Sequence, residues 1–123
     1  GVCQFPYGIG LLTDDLPNLL SAASGQEWTY DRLCTVGERI WNISRAFSAQ
    51  LGVDRRADYL PRRFSETPMP DGMGAGHVLS RADQDWLLDR YYHLRGWDAR
   101  GLPTAETWEQ LGLAALVGKK PGF

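Results

Sequence analysis

The sequence predicts an all-α, mainly helical fold: an irregular domain of about four helices with one long Pro/Gly loop. Three observations predict it. Apolar residues recur at helical spacing in several windows, no strand-period alternation of useful length occurs, and cap and stop residues bracket the periodic stretches. No internal repeat is visible. The 123 residues are 43% apolar, 23% charged and 11% aromatic. That apolar share excludes a disordered tail, and 14 Gly with 7 Pro fall short of a collagen or a low-complexity linker. A chain of this length removes roughly two-thirds of its unfolded surface from water, enough for a core without staples.

Leu11 to Gly25 reads as a loop entering a short helix, with Asp14 or Asp15 as caps, Pro17 in the first turn and Gly25 as the stop. A longer helix is expected from about Tyr30 to Leu51 behind Thr29 as N-cap. Leu33, Val36, Ile40, Trp41, Phe47 and Leu51 form its apolar stripe, Arg32, Glu38, Arg39 and Arg45 its opposite face, and Gly52 its end. Between Val53 and His77, three prolines and three glycines forbid a long regular element, although Tyr59, Leu60 and Phe64 can pin the segment to a core. Ser80 and Asp83 make a capping signal for a helix through Trp86, Leu87, Tyr91 and Leu94 that Gly96 closes. Trp97 to Gly101 reads as a turn, Thr104 caps a last short helix carrying Trp108 and Leu111, and residues 113–123 read as a loose tail. Spacing assigns Trp41, Phe47, Trp86, Leu87 and Tyr91 to a shared core. A structureless connector of ~25 residues is unusual in a self-contained domain, so the expected molecule is part of a longer protein with a surface meant to pack on something else.

Thirteen Lys and Arg against fifteen Asp and Glu leave a net charge of −2, so no global field favours nucleic acid or anionic lipid. The apolar run Leu111 to Val117 is far below the ~20 residues of a membrane span, and no signal peptide opens the sequence. Two cysteines do not make a disulfide framework, which gives the expectation of a soluble, cytoplasmic protein.

Catalytic constellations are scarce. Neither His77 nor His93 has a nucleophile or a second ligand at metal spacing, and both read as surface or packing residues. No metal, nucleotide or nucleophile-elbow motif is present. Asp83, Asp85 and Asp89 read as solvated charge complementing a helix dipole. Cys34 reads as a small buried hydrophobe. Cys3 has a different setting: beside Gly1 and Val2, with Phe5, Tyr7, Gly8 and Gly10 following, it is either a free or buried thiol or a thiolate that reaches an iron while its backbone skirts a bulky cofactor. Trp41, Trp86 and Trp108 fit core positions better than a base-stacking platform. Arg55, Arg56, Arg62 and Arg63 form the one basic cluster, diluted by Asp54, Asp58 and Glu66; it reads as a solvated loop with local ion pairs or as a docking patch for an acidic protein.

The block Gly37-Glu38-Arg39-Ile40-Trp41-Asn42-Ile43-Ser44-Arg45-Ala46-Phe47 resembles the G-E-R-I-W-N-L-x-R-x-F-N block near the end of tungsten-containing aldehyde:ferredoxin oxidoreductases. The similarity continues in Leu60-Pro61-Arg62-Arg63-Phe64, in Pro70-Asp71-Gly72 with Gly76-His77-Val78, and in Tyr91-Tyr92-His93-Leu94-Arg95-Gly96-Trp97-Asp98 followed by Gly101-Leu102-Pro103-Thr104. Order and spacing match over nearly the whole chain. In that family the C-terminal helical domain carries a D-x-x-G-[LV]-C motif, which Gly1-Val2-Cys3 resembles in its last three residues. The resemblance implies Cys3 as the fourth ligand of a [4Fe–4S] cluster, with Gly1 and Val2 beside a tungsten-bound bis-pterin (molybdopterin) cofactor. It implies no catalytic residue within this chain. The remaining motif Asp and a three-cysteine group would lie before Gly1.

The implied reaction oxidises an aldehyde to a carboxylate and passes electrons through the cluster to ferredoxin. In that setting the N-terminal domains of the same enzyme and ferredoxin are the partners, the aldehyde binds through the upstream domains, and the isolated chain is expected to be inactive and cofactor-free. Two other readings stand beside this one. A free-standing helical interaction module would use the Pro/Gly loop and the arginines as a binding face. A thiol redox module would pair Cys3 reversibly with Cys34.

Overall fold

The computed structural model describes residues 15–116. Among them the fold is all-α: helices α1 (Asp15–Ser24), α2 (Tyr30–Gln50), α3 (Arg63–Glu66), α4 (Arg81–Arg95) and α5 (Ala105–Gln110), with 3₁₀ turns at Arg55–Ala57 and Ala114–Leu116. Extended pairing is limited to two isolated bridges, Met69 with Ala75 and Trp97 with Pro103. The chain divides into two compact units, Gly1–Trp41 and Asn42–Phe123, and α2 contributes to both.

In the first unit, Pro17 sits in the first turn of α1, where its missing N–H costs no helical hydrogen bond, and Gly25 ends the helix at φ +69°. The Ser21 hydroxyl donates to the Pro17 carbonyl and accepts the Trp28 N–H, both at 2.8 Å, which folds the short link back on α1. Thr29 caps α2 as expected, its Oγ1 accepting the Arg32 N–H at 3.2 Å.

In the second unit α4 opens on a full capping box: Ser80 Oγ accepts the Asp83 N–H at 3.1 Å and the Asp83 carboxylate accepts the Ser80 N–H at 3.1 Å. It closes on Gly96 at φ +65°, a left-handed position where a side chain would also collide with Thr107. The predicted turn after it is built by Asp98, whose Oδ1 accepts the N–H groups of Arg100 and Leu102 at 2.9 Å. Thr104 then caps α5. The Pro/Gly stretch holds only the first 3₁₀ turn and the single turn of α3, as its composition requires. Of the expected loose tail, Ala114–Leu116 forms a turn and the remainder lies outside the described residues.

The core is not the expected one. The buried large side chains are Tyr92, Trp97 and Trp108, whereas Trp41, Phe47, Trp86 and Leu87 are 42–67% exposed and Tyr91 is half-buried. On α2, at 100° per residue, Ile40, Ile43, Phe47 and Leu51 do form one stripe, and all four are exposed. Asn42 and Arg45, nearly opposite, carry the buried contacts instead. The periodicity is as read, but the side facing the unit's own interior is the polar one.

Candidate functional site

Gly1, Val2 and Cys3, the residues singled out for cofactor and metal binding, lie outside the described residues. What the structure does assemble is a polar hub inside the second unit. Arg45, on the inner face of α2, reaches the turn between α4 and α5: its Nε donates to the Gly101 carbonyl at 2.7 Å, and its two terminal nitrogens hold the Asp58 carboxylate, one at 2.8 Å. The Tyr92 hydroxyl, from α4, donates to the same carboxylate. One turn earlier on α2, Asn42, with no exposed surface, accepts the Trp97 indole N–H at 2.8 Å. Gly101 is required where these groups meet, because at φ +79° a Cβ would lie 2.6 Å from Arg45 and 2.7 Å from the Tyr92 ring.

The electrostatics follow from the contacts. Burial pushes the Asp58 carboxyl up, but hydrogen bonds from Arg45 and Tyr92 and the guanidinium charge outweigh it and hold the group below the usual carboxylate range. Burial first, then the bond to Asp58, raises the Tyr92 phenol. No buried side-chain N or O atom among the described residues lacks a partner, so the hub is a satisfied hydrogen-bond network.

A second network explains most of the basic cluster. Arg55 donates to the Tyr59 hydroxyl at 3.0 Å and to Asp85 at 3.1 Å and pairs with Asp89, while Tyr59 donates to Asp85. These bonds raise the Arg55 pKa and, through Tyr59 and Arg55, lower that of Asp85. Arg56 pairs with Asp54 and Arg62 with Glu66. Three of the four arginines are thus spent on internal ion pairs, and Asp85 and Asp89 are ion-pair partners rather than purely solvated charges. Gln84, 4% exposed, closes the Pro/Gly segment: its Oε1 accepts the Leu60 N–H at 3.0 Å and its Nε2 donates to the Leu79 carbonyl at 3.1 Å.

Cys34 is exposed on α2, not buried as its apolar neighbour suggested. His77 and His93 are both exposed. Among the described residues no group of three or more His, Cys, Asp or Glu side chains is arranged to hold a metal, and no helix is long and apolar enough to cross a membrane. Sequence reasoning missed Asn42, Asp58, Tyr92 and Gln84. The available signal was that Asn42, Arg45, Tyr92, Gly96, Trp97 and Gly101 all fall within the quoted motif blocks.

The described residues define an all-α domain in which the polar side chains Asn42, Gln84 and Thr107 are buried along with Tyr92, Trp97 and Trp108, and large apolar side chains are exposed on α2 and α4. The family described as "Aldehyde ferredoxin oxidoreductase, domains 2 & 3" matches residues 1–113. The chain belongs to that family. It is 43% identical over 116 residues to the tungsten-containing aldehyde ferredoxin oxidoreductase of Pyrococcus furiosus and 42% identical over 119 residues to that of Pyrococcus horikoshii. These alignments take in 93% and 95% of the chain but only 18% and 19% of the relatives' length. Among solved structures, the active site complex BamBC of benzoyl coenzyme A reductase with 1,5-dienoyl-CoA contains a chain similar at TM-score 0.67 and 29% identity, over 85% of this chain and 14% of that one.

Proposed function

We propose that this chain is the helical C-terminal part of a tungsten-containing oxidoreductase that oxidises aldehydes to carboxylates and delivers the electrons to ferredoxin. The single observation supporting it is the family match across residues 1–113, together with about 40% identity to relatives of that name. In the overall reaction an aldehyde and water give a carboxylic acid, two protons and two electrons, and two one-electron ferredoxins take the electrons up. A bound tungsten bis-pterin would supply the two-electron chemistry and a [4Fe–4S] cluster the one-electron exit.

In this reading Cys3 would provide one thiolate to the cluster, and Gly1 and Val2 would bind the pterin. The described residues have a supporting task in this reading. The hub around Arg45 and Asp58 ties the part of α2 within the second unit to α4 and the turn at Gly101. The exposed apolar side chains of α2 and α4, from Ile40 to Leu94, cover neighbouring domains and keep water from the cofactors.

The test is made on the full-length protein that contains this chain, purified without oxygen. Tungsten and iron near one and four atoms per protein, in line with one tungsten centre and one four-iron cluster, with aldehyde-dependent reduction of ferredoxin, are the expected result. A tungsten-free, iron-free protein, or a loaded one that leaves ferredoxin oxidised with a panel of aldehydes, would contradict it.

A further inference from the structure

The Pro/Gly segment does more than connect. Between α3 and the chain returning from the loop lies a concavity of about 820 Å³, walled by residues that include Pro61, Phe64, Met69 and Val78, with Arg63 and His77 also at its lining. Its shape is set by backbone hydrogen bonds rather than by packing. Leu79 N–H donates to the Phe64 carbonyl at 2.9 Å, Met69 N–H to His77 at 3.1 Å, and Gly76 N–H to Met69 at 2.9 Å. Such a groove is formed before anything enters it.

Two properties describe what enters. The walls remain open, with Phe64, Met69 and Val78 between 41% and 55% exposed, whereas sites for small molecules enclose most of their ligand. An open apolar trough fits an extended stretch of polypeptide. The charge is one-signed: no Asp or Glu lines the groove, and Arg63, alone of the four clustered arginines, has no side-chain hydrogen bond or ion pair among the described residues. An exposed guanidinium at the edge of apolar walls, with no partner among the described residues, is complementary to a carboxylate flanked by apolar side chains.

We propose that this groove seats an acidic, apolar segment from the part of the enzyme outside these 123 residues, with Arg63 as the anchor for its carboxylate. The proposal rests on the functional reading above, in which the chain works inside a polypeptide about five times its length, as its relatives' lengths indicate. Met69 lines the groove and Met73, four residues on at the loop's tip, is fully exposed and does not. The two methionines are therefore built-in reporters.

In the full-length enzyme, a microsecond hydroxyl-radical pulse followed by peptide mass spectrometry should oxidise Met69 at least about tenfold more slowly than Met73. Arg63→Glu should bring Met69 up to about half the rate of Met73, the ratio of their exposures with the groove empty, and Arg63→Lys should keep it protected. Because Arg63 has no side-chain partner among the described residues, the reversal is expected to leave their local fold intact. A difference of no more than about twofold between the two methionines in the unmodified enzyme, which their exposures alone give, would overturn the proposal, as would protection unchanged by Arg63→Glu. Protection appearing only when a small carboxylate such as benzoate is added would assign the groove to a ligand instead. Tungsten and iron content of the same preparations reports separately on the functional reading.

Discussion

Asp58 joins α2 and α4 through one carboxylate. Its carboxylate is shared by Arg45 and Tyr92, and the Arg45 side chain is only 11% exposed, so removing the acid strands a nearly buried guanidinium. Asp58→Ala should cost about 3 kcal/mol, the low end for breaking a buried ion pair, read as a lowered unfolding midpoint. The sign with pH follows from the depressed folded pKa: the stabilisation is complete above the unfolded value of about 3.9 and is lost as pH falls through the lower, folded value. An acid unfolding limb equally steep in wild type and Asp58→Ala would show that this carboxylate is not held by its partners. Gly101→Ala tests the same hub from the backbone side. It forces a Cβ against Arg45 and Tyr92 at positive φ, and a loss of about 2 kcal/mol is expected; an unchanged midpoint would mean the turn relaxes freely.

At the scale of elements, caps and stops were legible because they are local chemistry. Thr29, Ser80 with Asp83, Gly96 and Thr104 act where the sequence places them. Burial was not legible. An apolar stripe on α2 states which face avoids water, not which partner covers it, and here the side facing the unit's interior holds Asn42 and Arg45. Trp41→Ala, expected from spacing to cost the 3–5 kcal/mol of a buried Trp, removes a side chain that is half exposed, so a much smaller loss is now expected. Gln84 gives the complementary lesson, since the sequence reading assigned it no role, yet it holds Leu60 and Leu79 together. In Gln84→Ala the Leu60 N–H and Leu79 carbonyl lose their partner, a cost of about 2 kcal/mol. Amide exchange should then quicken across residues 60–79 while the end of α4 stays protected; uniform exchange across both would refute the clamp.

For the whole molecule, the helical class and the family were readable from motif blocks whose order survives over nearly the entire chain, and the family match agrees with them. The blocks turn out to serve architecture: Asn42, Arg45, Tyr92, Gly96, Trp97 and Gly101 lock the second unit together. Among the described residues, many exposed apolar side chains against three buried aromatics fit a domain with further apolar surface to cover. The cofactor assignment rests on Cys3, the one candidate ligand that the motif resemblance supplies.

The central claim, that this domain closes an iron–sulfur cluster with a single thiolate, is tested most directly by comparing Cys3→Ala with Cys34→Ala in the full-length enzyme by electron paramagnetic resonance of the reduced state. The account predicts a three-iron or lost cluster and no ferredoxin reduction in Cys3→Ala. Cys34→Ala, which removes an exposed thiol, should keep the four-iron signal and its activity. A normal four-iron signal with full activity in Cys3→Ala would contradict it.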